Sequence, residues 1–86
     1  MYRLIYRRRA RNYLARLPLK IKSRIVDQLH EIQKEPNNPK LDIDRLKGGK
    51  GYRLRVGPYR IIYTLHNDQL IIEVVKIRTR GDIYKR

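Results

Sequence analysis

Gly51-Tyr52-Arg53-Leu54-Arg55-Val56-Gly57-Pro58-Tyr59-Arg60-Ile61-Ile62-Tyr63 carries the strongest structural signal in the chain. Tyr52, Leu54 and Val56 alternate with Arg53 and Arg55, the period of two expected of a strand with one buried and one open face. Gly57-Pro58 interrupts the alternation as a turn, and Tyr59 to Leu65 returns as a second strand. If that loop has two residues, Val56 pairs with Tyr59 and Arg55 with Arg60, while Arg53 lies on the same face one pleat away. Three guanidinium groups then share one patch. Like charges directly opposite one another destabilise a sheet, so the pattern calls for something negative on this face. The plainer alternative is a solvated basic face, with arginine stems covering apolar surface and their heads in water.

Downstream, Asn67-Asp68 turns the chain into a third strand, Leu70 to Ile77, and Arg78 to Arg86 reads as a polar tail. Upstream, Leu41 to Lys50 ends in Gly48-Gly49 and reads as a mobile connection, entered through the turn Pro36-Asn37-Asn38-Pro39. Before that turn the period becomes helical. Ala10, Tyr13, Leu14 and Leu17 fall at i, i+3, i+4 and i+7, and Ile21, Ile25, Leu29 and Ile32 repeat the stripe on a second helix. Pro18 separates the two and suits the first turn of the second, and Pro36 stops it. Tyr2 to Tyr6 alternates as a short strand. The expected fold is α+β: an N-terminal strand, a helical hairpin and a three-stranded antiparallel sheet (β-α-α-β-β-β), with the helices on one face and the other left for function.

A chain of 86 residues holds one domain, here residues 1–86, with a core modest in size but sufficient without staples. The absence of cysteine removes disulfides, thiolate nucleophiles and sulfur-ligated metals, and permits a reducing compartment. No segment reads as a signal peptide or a membrane span, so a cytoplasmic protein with no membrane partner is expected. Lysine and arginine number 22 against 8 acids, a formal charge of +14. Self-repulsion at that density calls for a polyanionic partner, and nucleic acid fits better than a membrane because the cations are not confined to one amphipathic helix. From Arg45 to Arg60 run Arg45, Lys47, Lys50, Arg53, Arg55 and Arg60 without an acid, whereas most of the acids lie between Asp27 and Asp44. The tail adds Arg78, Arg80, Lys85 and Arg86 against Asp82, with Tyr84 among them.

Carboxylates are few and His30 and His66 stand far apart, so no metal site and no cofactor are expected. Ser23 lies inside a helix without triad partners, which sets acyl transfer aside. RNA cleavage needs no metal, because the ribose 2′-hydroxyl can serve as nucleophile while arginines stabilise the charge that develops at phosphorus. Arginine, with a pKa above ~12, does not move protons near neutrality. A tyrosine, normally at ~10, can do so if cations lower it. Tyr84 fits that task, although it could equally stack on a base or pack the tail against the sheet.

Leu46-Lys47-Gly48, the Gly51 to Tyr63 segment and Arg78-Thr79-Arg80-Gly81-Asp82-Ile83-Tyr84 together resemble the RelE/ParE superfamily of bacterial and archaeal toxins, closest to the RelE messenger-RNA interferases. The resemblance covers nearly the whole chain. It implies a ribosome-dependent endoribonuclease that enters the decoding site, cleaves messenger RNA there to leave a 2′,3′-cyclic phosphate, and is neutralised by a RelB-like antitoxin in a hetero-oligomer. By resemblance, Arg53 and Arg55 match basic positions that contact the scissile phosphate, Arg60 the arginine that steadies it, Arg80 the arginine after the last strand, and Tyr84 the tyrosine that activates the 2′-hydroxyl. Arg45, Lys47, Lys50, Arg78 and Lys85 would add contacts to RNA and ribosome. Arginine stands at positions 53 and 55 where relatives often carry lysine, which preserves charge stabilisation and weakens any role as general acid. Thr79 stands where relatives often carry histidine. The competing readings are a ParE-like toxin that poisons DNA gyrase and a non-catalytic RNA-binding module.

Overall fold

Two prolines set the limits of the helical layer. The residue before a proline is driven out of the helical region by the pyrrolidine ring, and both helices stop there: α1 (Arg8–Arg16) ends at Leu17 with φ −75° and ψ 151°, and α2 (Leu19–Lys34) ends at Glu35 with φ −147° and ψ 91°. Pro18 sits one position ahead of the expected first turn, as the N-cap of α2. The apolar stripes do what their spacing requires, since Ala10 and Leu14 of α1 and Ile25, Leu29 and Ile32 of α2 are buried.

The computed structural model describes residues 1–49 and 51–79. Its strands are β1 (Arg3–Tyr6), β2 (Ile43–Arg45), β3 (Tyr52–Val56), β4 (Tyr59–His66) and β5 (Ile71–Thr79). They form one sheet of five strands in the order β1-β5-β4-β3-β2, antiparallel except for the parallel pair β1 and β5. The expected order of elements and α+β class hold. The sheet is larger than the expected three strands, because β1 joins it beside β5 and part of the supposed mobile connection, Ile43–Arg45, forms β2 along β3. Two further backbone bonds extend that pairing, from Arg55 N to Asp42 O (2.9 Å) and from Leu46 N to Gly51 O (2.9 Å). A three-residue strand is too short to show a period of two, and the paired partner that makes it a strand lies in another segment.

The helix-side face of the sheet buries Leu54, Val56, Ile61, Tyr63, Ile72, Val74 and Ile77 against the two helices in one cluster. Tyr52 stacks on Tyr63 with ring centroids 5.5 Å apart. Burial pushes the Tyr63 hydroxyl far above the ordinary tyrosine range, with a smaller push from Tyr52, and burial also raises Tyr6. The Gly57-Pro58 loop is the two-residue turn the alternation requires. Gly57 takes φ +58°, and proline then holds φ near −65°, the sequence of signs in a type II′ hairpin. Gly51 lies where β3 meets β4: at φ +138° it is buried, and a Cβ there would stand 2.8 Å from the Tyr63 carbonyl oxygen. No helix among the described residues is long and apolar enough to cross a membrane.

Candidate nucleic-acid interface

On the face away from the helices, the register lines up side chains from four strands into two rows. Val56 pairs with Tyr59 and Arg55 with Arg60, as the two-residue loop requires. Arg60 in turn pairs with Arg78 of β5, so Arg55, Arg60 and Arg78 form one cross-strand row. The neighbouring row runs Asp44, Arg53, Ile62, Lys76. Five cations therefore occupy adjacent positions on three strands. A shallow groove of about 360 Å³ lies among them, lined by Arg53, Arg60, Lys76 and Arg78 with Ile62 and Val75 as its apolar part.

The anion that the paired arginines call for is partly supplied by the chain itself. Asp44 lies directly opposite Arg53 and accepts bonds from its Nη2 (2.7 Å) and Nε (3.2 Å). Asp44 Oδ1 also accepts from Arg55 Nη1 at 3.1 Å, and Asp42 lies 3.4 Å from the same nitrogen. The Arg53 hydrogen bond, followed by the charges of Arg53 and Arg55, holds the Asp44 carboxyl below its ordinary value, and the same bond raises Arg53. The acid-free run from Arg45 to Arg60 is thus not acid-free in space. Among the described residues no carboxylate forms an ion pair with Arg60, Lys76 or Arg78.

The other expected contacts are distributed differently. Arg45 points to the opposite side of β2, with its guanidinium carbon 5.8 Å from the centre of the Tyr52 ring, a cation–π placement. Lys47 sits in the turn after β2 and lines a second concavity with Asp44 and Arg53. Arg78, expected at the start of the tail, belongs to β5. Lys50, Arg80, Tyr84 and Lys85 lie outside the described residues. Lys76, Asp42 and Asp44 were not expected at this face. Lys76 is hidden by a bulge: Ile62 pairs with Lys76 but Tyr63 with Val74, so Val75 is extra and the alternation of β5 shifts by one.

Farther along the same sheet, Glu73 accepts bonds from Arg7 Nε (2.8 Å) and shares a contact with His66 Nε2 (3.1 Å), which also lies 3.2 Å from the Thr64 hydroxyl. The Arg7 bond, then the His66 one, lowers the Glu73 carboxyl. His66 is therefore held in a structural network linking β4, β5 and the start of α1. No group of three or more His, Cys, Asp or Glu side chains that could hold a metal ion occurs among the described residues.

The interface suits a phosphodiester backbone: guanidinium forks and an ammonium present donors and positive charge to phosphate oxygens, and the apolar floor offers contact for a sugar or base. Comparison with solved structures agrees with this fold. The RelE–RelB complex from Pyrococcus horikoshii OT3 contains a chain 30% identical, with a TM-score of 0.81 over 93% of this chain and 96% of that one. The RelB–RelE complex from Methanococcus jannaschii gives 32% identity and a TM-score of 0.76, covering 93% and 94% of the two chains. The E. coli RelBE complex, at 18% identity, shares the fold with a TM-score of 0.79 over 92% of this chain and 96% of that one. No curated protein matches the sequence. A family model described as the ParE toxin of type II toxin-antitoxin systems, parDE, matches residues 4–84. With nearly its whole length covered by that model, the chain belongs to the ParE toxin family of the RelE/ParE superfamily, with RelE toxins among its structural relatives.

Proposed function

We propose that the protein is a ribosome-dependent endoribonuclease that acts in the cytoplasm, as a single domain over residues 1–86, and stops translation by cutting messenger RNA in the ribosomal A site. The observation that carries this reading is the cluster of Arg53, Arg55, Arg60, Lys76 and Arg78 on one open sheet face. In the proposed reaction the 2′-oxygen attacks the adjacent phosphorus and the bond to the 5′-oxygen breaks, leaving a 2′,3′-cyclic phosphate and, once the departing oxygen takes a proton from water, a 5′-hydroxyl. The arginines stabilise the extra negative charge on the phosphorane-like transition state. Proton transfer falls to a different kind of group, because arginine stays protonated. Tyr84, with Lys85 and Arg80 near it in the sequence, is our candidate for taking the 2′-hydroxyl proton onto its phenolate oxygen. Arg45, Lys47, Lys50 and Lys85 are assigned to RNA and ribosome contacts.

The archaeal relatives at 30 and 32% identity were solved as complexes with RelB. We read this chain likewise as the toxin of a toxin–antitoxin hetero-oligomer, neutralised by a RelB-like partner with an acidic segment that complements its charge. Induction without the antitoxin should stop protein synthesis and yield cuts within translated messages, mapped by primer extension, that vanish when ribosomes are withheld. The second reading, inhibition of DNA gyrase, is favoured by the parDE description of the matching family model. Intact messages with induced DNA breaks would select it.

A further inference from the structure

We propose that Asp44, assisted by Asp42, is a built-in counter-anion that determines where on the face an RNA phosphate sits: it occupies Arg53 and Arg55 and confines the phosphate to the Arg60, Lys76 and Arg78 side. This rests on reading the face as an RNA-backbone seat, and it departs from the resemblance in one respect: Arg53 and Arg55, matched there to phosphate contacts, act here at longer range because the chain's own carboxylates hold them.

Donor accounting supports it. A guanidinium has five N–H donors. Asp44 takes Arg53 through Nε and Nη2, the side-on fork that a phosphate would also use, and the two carboxylates together take Arg55 Nη1. A phosphate approaching β3 must therefore displace a carboxylate or accept the remaining donors with a carboxylate at close range, where like charges repel. On β4 and β5 there is no such obstacle among the described residues, since Arg60, Lys76 and Arg78 have no carboxylate partner there, and these three line most of the charged wall of the groove, with Arg53 at its β3 edge.

The pairing is also weak enough to be a tuning device. The Asp44 and Arg53 side chains are 39% and 30% exposed, and ion pairs in such settings contribute little to folding. Asp44 can therefore alter affinity without being needed to hold the sheet together. Its placement on β2, the edge strand beside β3, leaves it at the rim of the face, where it limits how far an RNA backbone extends across the strands.

The test is equilibrium binding of the full chain to fluorescein-labelled oligouridylate by anisotropy, titrated with NaCl. Each added phosphate contact on a single strand steepens the log–log salt slope by about 0.7. Asp44→Asn should steepen the slope by about that amount and tighten binding at low salt by about two- to fivefold, the scale of an exposed ion pair. Asp42→Asn, at a more exposed and longer pair, should shift both in the same direction by less. Weaker or unchanged binding with an unchanged slope in both variants, at unaltered thermal midpoints, would overturn the proposal and make Asp44 a positioning residue for the guanidiniums. Should Asp44→Asn melt early, Asp42→Asn decides by the same criteria. Binding is read without ribosomes or cleavage. A chain that never cuts messages, but whose Asp44→Asn variant binds more tightly with a steeper slope, defeats the nuclease reading and leaves this one standing.

Discussion

The two halves of the outer sheet face carry similar cations under different constraints. On the β2–β3 half, Arg53 and Arg55 are tied to Asp44 and Asp42, so their charge is largely spent within the molecule and their orientation is set. On the β4–β5 half, Arg60 stands opposite Arg78 with Lys76 in the next row, and no described carboxylate relieves the repulsion. Sheet stability alone does not account for the second arrangement, because opposed like charges weaken a sheet. On the reading proposed above, the first half is an ordered boundary and the second is where an external anion gains most.

The largest expected effect follows from that difference. Arg60→Ala should lower message cleavage, measured in single turnover on programmed ribosomes, by about 10²- to 10³-fold, the usual loss when one donor to a developing oxyanion is removed. Gly51→Ala comes next and tests whether the halves must be held in register. Its Cβ would press on the Tyr63 carbonyl at an unfavourable φ, so chemical denaturation should show a loss of about 1–3 kcal/mol. Arg53→Met combined with Asp44→Asn removes a neutralised pair together; cleavage should fall by less than about tenfold, because the face keeps its net charge and its unpaired cations. A loss equal to that of Arg60→Ala would erase the distinction between the halves.

The smallest effect is a pH dependence. The folded Asp44 carboxyl lies below its unfolded value, so its contribution to stability is complete above the ordinary carboxylate value of ~3.9 and is lost as pH falls through the lower folded value. Thermal midpoints of the wild type and Asp44→Asn should differ by the equivalent of under about 1 kcal/mol at neutral pH and converge in strong acid. A difference that grows on acidification would show that Asp44 opposes folding.

Legibility of the site depended on distance along the chain. Arg55 opposite Arg60 could be read directly, because Gly57-Pro58 joins their strands and a two-residue turn permits one register. The helices were equally plain, with regular apolar spacing and prolines at their limits. Asp44 beside Arg53 was not legible, since β2 has three residues and its pairing crosses a connection that lacks any period. Nor was Lys76, because one extra residue at Val75 reverses the alternation on β5 just before it. The parallel union of β1 with β5 was hidden for a further reason: it joins segments separated by every other element, and neither carries a local mark of its partner.

That union bears on how the protein is made. β5 sits inside the sheet between β1 and β4, so the segment synthesised after all the other strands fills an interior place. Arg3 to Tyr6 has no strand partner until Ile71 to Val74 is available to pair with it, and contacts of such long sequence separation form late and slowly. The strand that completes the sheet also brings Lys76 and Arg78 to the open face. Until β5 docks, the chain consequently lacks both its finished sheet and two of the five cations of the open face.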